Sequence, residues 1–390
     1  MMYDFDTIVD RRDSYSLKWD VAEHELPMWV ADMDFKTAPE IQAAIEKRAA
    51  HGVFGYTRVP EAWYEAYRYW WREYHSWDIL KEWLVYCSGV IPAISSAVRK
   101  LTTPGENILI QTPVYNSFFR VIQNNGRNVQ ACPLRYDDYV YSIDFEALER
   151  SLADPQTSMM ILCNPHNPVG KIWDSGTLAK IGDLCARHHV VVISDEIHCD
   201  LVAPGTEYIP FASVSEACRQ NSISLVSPAK TFNLSGLQTA AAIVPDKVLR
   251  HRLWRGMDTD EVAEPNAFAI DATIAAYREG ADWLDALREY IQQNKEYVKD
   301  YLDHELKQVR VVSTDATYLL WLECERLAGS VTKFVRYLRE STGLFIMDGR
   351  VYGQEGAGFV RMNVACPRSV VQDGMKRLKT GVLRYDIISR

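Results

Sequence analysis

Lys230 follows SLVSPA, Asp195 stands behind VVVIS, Asn167 lies in CNPHNPVG, and Tyr115 lies just past the Thr-Pro that ends NILIQTP. Each of these side chains comes directly after a short apolar run. An amine in a partly apolar pocket has a lowered pKa and becomes a usable nucleophile. An acid behind such a run is buried and must have a partner. Arg361, inside FVRMNV, likewise needs a carboxylate, from the protein or from a ligand. Ser227, three residues before Lys230, has a hydroxyl suited to a phosphate or to backbone capping. The Thr-Phe-Asn-Leu-Ser-Gly after the lysine can bring backbone N–H groups near an anion. An amine, an acid, a flat platform and an anion cradle are together what pyridoxal 5'-phosphate requires.

These residues act together only if the fold brings the ends of the runs to one place. NILIQTP, MMILCNP, VVVISDE and SLVSPAK are short, lack polar alternation, and have helical patterns such as 144–152 and 175–189 between them. That combination indicates a parallel sheet covered on both faces, which binds ligands at the carboxyl ends of its strands. Residues 112–115, 164–167, 195–198 and 227–230 are therefore expected to line one cleft. Residues 39–51 read as a helix, with Pro39 near its first position and Gly52 just past its end. Residues 61–75 read as an unusually aromatic one. After about residue 280 a long helical stretch, VVSTDATYLLWLEC, FVRMNVACP and helices near 331–341 and 368–384 read as a second, α+β domain. The expected division is a large domain of 46–284 and a small domain of 1–45 with 285–390, although 1–45 carries no strong sheet signal.

Over 390 residues, 43 Lys and Arg against 52 Asp and Glu give a net charge of −9, with 47% hydrophobic and 24% charged residues. These are the proportions of an ordinary globular protein. The acidic balance argues against nucleic acid or an anionic membrane as the main partner. No apolar run approaches the roughly 20 residues of a membrane span. MMYDFDTIVDRR has no apolar signal region, and the eight cysteines form no C-x-x-C pair. A cytoplasmic protein with reduced thiols is expected. His188, His189 and His198-Cys199 are the dense His/Cys patch, and no metal is expected there. Ser227-x-x-Lys230 and Lys379-Thr380-Gly381 formally match two signatures of penicillin-interacting serine enzymes, but no S-D-N lies between them and Ser227 is followed by proline at the close of a strand.

The ordered set NPHNPVG, SDEIH, SPAKTFNLSGLQ and RMNVACP resembles the fold-type I pyridoxal-phosphate enzymes of the class I/II aminotransferase superfamily. Within it, PMWVADMDF, FGYT, SGVIPAIS and SDEIHCDL resemble the MalY/PatB-like cystathionine β-lyase subgroup of C–S lyases. The resemblance spans essentially the whole chain. It implies an α/β fold with a mostly parallel sheet in the large domain and a smaller α+β domain.

It further implies that Lys230 is the Schiff-base lysine, Asp195 the partner of the pyridine nitrogen, Tyr115 the ring-stacking aromatic and Asn167 the partner of the phenolic oxygen. Val90 and Ile91 match the backbone phosphate cradle at a helix start, Ser227 the phosphate-binding hydroxyl, and Arg361 the clamp on the substrate α-carboxylate, with Asn167 beside it. His198 falls on the cofactor side and Ala31 on the substrate side. Tyr56 matches a tyrosine that reaches the phosphate from the neighbouring subunit, which implies a homodimer. Two positions depart from the wider pattern. His198 replaces a usual Tyr three residues after Asp195, and Gln238 replaces a frequent Arg eight residues after Lys230, leaving a less positive cradle. The implied reaction is β-elimination from L-cystathionine or a related L-cysteine S-conjugate to pyruvate, ammonia and a thiol, with transamination as the alternative. The residues that contact the sulfur side of the substrate are not identifiable in the sequence; helix 61–75 and loop 203–211 are candidates, with core or surface packing as the alternative reading of both.

Overall fold

The computed structural model describes residues 3–327 and 329–389. Seven strands, β1 (Leu84–Cys87), β2 (Asn107–Ile110), β3 (Asn128–Ala131), β4 (Thr157–Cys163), β5 (Val191–Asp195), β6 (Ser222–Val226) and β7 (Ala240–Ile243), form one sheet in the order β1-β7-β6-β5-β4-β2-β3. Strands β2 to β6 are parallel, and β7 is antiparallel to both β6 and β1. Successive side chains of a strand point to opposite faces, and here both faces are apolar. Ile161 and Ile193 pack with Ala93 and Ile94, while Met160, Leu162 and Val192 pack with Leu178 and Ile181. A strand covered on both sides reads as an unbroken apolar run, which is why MMILC and VVVIS show no alternation.

Helix α1 (Pro39–His51) starts with proline in its first turn and ends at Gly52, whose φ of +76° suits glycine and lets its N–H reach the Ala49 carbonyl. Helix α2 (Glu61–His75) buries Trp63, Tyr67, Trp70 and Trp71, one helical face. The last three meet the Tyr277 ring of helix Ala269–Glu279. Of the two readings of α2, core packing is the one observed, because its aromatic face is committed to the core. Loop 203–211 also turns away: with His75 and Arg288 it borders a separate cavity. Helix α3 (Val90–Leu101) follows β1 with Gly89 at its N-cap.

A second sheet contains β8 (Arg310–Val311), β9 (Leu319–Glu323), β10 (Met347–Asp348) and β11 (Phe359–Asn363), antiparallel in the order β8-β9-β11-β10. Val360 and Met362 enter the core formed with helices Ala281–Glu305, Val331–Thr342 and Arg368–Ser389. The alternation of the strand sends Arg361 to the opposite face. The N-terminal segment contributes a strand that its sequence does not signal: Leu26–Pro27 pairs in parallel with Leu344–Phe345. Two residues are too few for a periodicity to register. Past it, Met28 accepts from the Asn363 N–H and the Asp34 N–H donates to Ala365, both at 2.9 Å.

Candidate active site

Cys163, Asp195 and Leu225 sit opposite one another on β4, β5 and β6, so the three strands end together. The segments that follow enclose a cavity of about 300 Å³ lined by Ala31, Val90, Ile91, Tyr115, Asn167, Asp195, His198, Ser227 and Lys230. Nine of the residues singled out in the sequence thus share one space. Arg361 joins them through Asn167, to whose Oδ1 its Nη1 donates at 3.2 Å, while Nη2 donates to the Trp29 carbonyl at 3.0 Å. Tyr56 stands apart, fully exposed between α1 and α2.

Lys230 lies in the one-turn helix Pro228–Thr231. Ser227 caps that turn, accepting from the Ala229 N–H at 3.0 Å and donating to the Thr239 carbonyl at 2.6 Å. The strand therefore ends one residue earlier than SLVSPAK suggests, and Ser227 does open a helical turn. Lys230 Nζ donates to the Ala31 carbonyl at 2.6 Å and lies 3.4 Å from Ser235 Oγ. With the Ser227 proton on Thr239 and the amine on Ala31, the pair is not arranged as a serine nucleophile and its lysine base. Burial lowers the Lys230 pKa to about 8; Arg361 adds to the depression, while Asp32 and Asp195 oppose it.

Asp195 is buried with the Ile197 N–H on Oδ1 at 3.2 Å, and burial pushes its pKa up to about 7. His198 goes the opposite way, to about 3, through burial and then the charges of Lys230 and Arg361, so its imidazole is neutral. His198 Nδ1 and Arg361 Nε are buried with no hydrogen-bond partner among the described residues. The Asn167 N–H donates to Cys163 Sγ at 3.4 Å, and the Tyr115 ring meets Phe118 edge-on at 5.7 Å. At the N-terminus of α3 no described side chain caps the free N–H groups, which with the helix dipole make an anion site. The neighbouring Gln238 and Thr239 are uncharged, and Lys230 is the one cation lining the cavity among the described residues.

Some participants were not found in the sequence. Tyr318 donates its hydroxyl to the same Ala31 carbonyl at 2.9 Å and faces His198 edge-on. Asn363 Nδ2 donates to the Val30 and Asp32 carbonyls, both at 2.6 Å. Its place two residues after Arg361, on the same face of β11, was the available signal. Of the dense His/Cys patch only Cys199 lies where ligand atoms converge among the described residues. His75, Cys199 and Asp200 bring theirs within 4.8 Å of one another.

The model of the family "Aminotransferase class I and II" matches residues 28–378. The chain is 38% identical over 384 residues to cystathionine beta-lyase PatB of Bacillus subtilis, covering 97% of this chain and 99% of that one. It is 36% identical to protein MalY of Escherichia coli, covering 97% and 98% respectively. Among solved structures, cystalysin from Treponema denticola, which contains a pyridoxal 5'-phosphate cofactor, superposes with a TM-score of 0.95 at 33% identity, over 98% of this chain and 100% of that one.

Proposed function

The chain belongs to the aminotransferase class I and II family, and within it we propose that it is a pyridoxal 5'-phosphate-dependent carbon–sulfur β-lyase acting on L-cystathionine or a related L-cysteine S-conjugate. The observation that carries this reading is the meeting of an amine of lowered pKa, an acid of raised pKa and an uncapped helix N-terminus in one cavity. The relatives named cystathionine beta-lyase favour elimination over transamination.

The residues fit this cofactor. A buried carboxylate with no cation hydrogen-bonded to it among the described residues suits a protonated ring nitrogen. The free N–H groups of Val90 and Ile91 suit a phosphate. Tyr115 offers a flat face, and the orphaned Nδ1 of His198 and the Asn167 amide offer partners to further polar atoms of the ring. Ser227 supports the cradle by fixing the turn below it. When bound, pyridoxal 5'-phosphate supplies an electron-withdrawing ring joined to the amino acid's nitrogen, which weakens the bonds at Cα.

The chain's own residues do the rest. Arg361 exchanges the Trp29 carbonyl for the substrate carboxylate, presenting a two-pronged fork while Asn167 keeps it oriented. Lys230 exchanges Ala31 for its chemical role and, with a pKa near 8, is neutral often enough at physiological pH to take the proton from the substrate Cα. Asp195, once ionised, would hold the protonated ring nitrogen of the bound cofactor. The Cβ–S bond then breaks with its electron pair on sulfur. One water is consumed, and pyruvate, ammonia and thiol leave.

Tyr56, with exposed Val53 and Phe54 on the same segment, supports a homodimer in which this tyrosine completes the partner's site. Eight buried, unpaired cysteines support a reducing compartment such as the cytoplasm, and no described helix is long and apolar enough to cross a membrane.

The test is a product assay on the purified holoenzyme with cystathionine and a small panel of cysteine thioethers. Pyruvate and thiol released with no added keto acid is the expected result. Amino transfer that requires a keto acid, without thiol release, would replace the lyase by an aminotransferase.

A further inference from the structure

Asp200 lies five residues past Asp195, and its carboxylate is buried with three donors around it. Trp70 Nε1 donates to Oδ1 at 2.9 Å and Thr231 Oγ1 to Oδ2 at 2.7 Å, while His75 Nε2 lies 2.8 Å from Oδ1. An ionised carboxylate only accepts, so His75 carries its proton on Nε2. Burial alone would raise the Asp200 pKa, but the hydrogen bond and charge of His75, with the bonds from Thr231 and Trp70, hold it below its ordinary value. The grouping of His75, Cys199 and Asp200 is therefore better read as a closed hydrogen-bond knot than as a metal site, because the carboxylate is already occupied by donors from two other elements.

Those elements matter. Trp70 and His75 belong to the end of α2, whose aromatic face is locked in the core. Thr231 is the residue after Lys230 and is fully buried. The helix that carries the lysine has four residues, and one turn has almost no stability of its own. Its start is fixed by the Ser227 cap. Its end is fixed by Thr231.

We propose that Asp200 is the positioning residue of Lys230: through Thr231 Oγ1 it ties the one-turn helix carrying the lysine to the buried face of α2. The amine then swings from a fixed base in both of its tasks, holding the cofactor and moving the Cα proton. This inference rests on the role of Lys230 proposed above and assigns what keeps that role in register.

The decisive variants are Thr231→Val, which keeps the shape and removes the donor, and Thr231→Ser, which keeps the donor. Asp200→Asn is the second probe of the same contact, changing the acceptor. Three quantities are measured on each holoenzyme: the pH midpoint of its cofactor absorption band without substrate, kcat and KM for thiol release, and Tm. T231V is expected to move the midpoint by about half a unit or more and to lower kcat about ten-fold or more with KM changed less than about three-fold. T231S is expected to stay within about two-fold of the parent in kcat. D200N is expected to shift in the same direction as T231V. A T231V protein that loses only Tm, keeping midpoint and kcat, would reduce Asp200 to a core contact and overturn the proposal. A parent enzyme that releases no thiol would sink the lyase reading instead, and the midpoint comparison would still decide this one.

Discussion

Two ionisable groups of opposite sign, Lys230 and Asp195, share one small cavity and set the chemistry of this site. Asp195 has its pKa pushed up to about 7, chiefly by burial. Between about pH 4 and 7 the folded chain therefore keeps a proton that the unfolded chain has lost, so the stability of the cofactor-free protein falls as pH rises through that window. Asp195→Asn removes the titration. Melts of the two cofactor-free proteins from pH 4 to 7.5 should diverge in favour of the variant by up to about 1.4 kcal/mol per pH unit; parallel curves would mean that the carboxyl ionises normally. Arg361→Lys keeps the charge but loses the fork that meets both Asn167 and Trp29. Its KM should rise about ten-fold or more with a smaller loss in kcat, and an unchanged KM would place the substrate carboxylate elsewhere. At this scale the sequence was most legible for Lys230, Asp195 and Asn167, because each stands at the end of an apolar run. It was silent on Tyr318 and Asp32, whose relation to the amine depends on segments far apart in the chain.

Elements explain what the single residues leave open. Helix α2 is aromatic in sequence and invites a role in substrate contact, but burial of Trp63, Tyr67, Trp70 and Trp71 assigns it to the core. Trp63→Ala should cost about 3–5 kcal/mol in denaturant unfolding. Trp63→Phe should cost much less, because a ring remains and the Trp63 Nε1, buried without a partner among the described residues, is removed. Equal losses in the two variants would mean that packing volume is not what the tryptophan supplies. Helices Pro39–His51 and Glu61–His75 match the sequence expectation residue for residue, because proline, glycine and the amphipathic period mark their ends locally. The pairing of Leu26–Pro27 with Leu344–Phe345 had no local mark.

The whole molecule adds the question of how many chains make a site. Tyr56 is fully exposed, and the proposed dimer brings it to the partner's cavity. If so, mixing Lys230→Ala with Tyr56→Ala, each inactive alone, should restore activity toward about a quarter of the parent rate, since half of the randomly paired dimers hold one intact site. No recovery after subunit exchange would confine Tyr56 to its own chain. The sequence by itself determined the parallel sheet, the order of the chemical residues and the ends at which they stand, because strand burial and helix capping are written in near neighbours. Only the tertiary structure decided that Arg361 crosses from the second sheet to Asn167, that the Ala31 carbonyl receives both Lys230 and Tyr318, and that Asp200 holds the turn beside the lysine. Those contacts join residues from 31 positions apart, for Asp200 and Thr231, to 287, for Ala31 and Tyr318, and no local pattern of apolar and polar residues encodes which distant donor meets which acceptor once the chain has closed around its core.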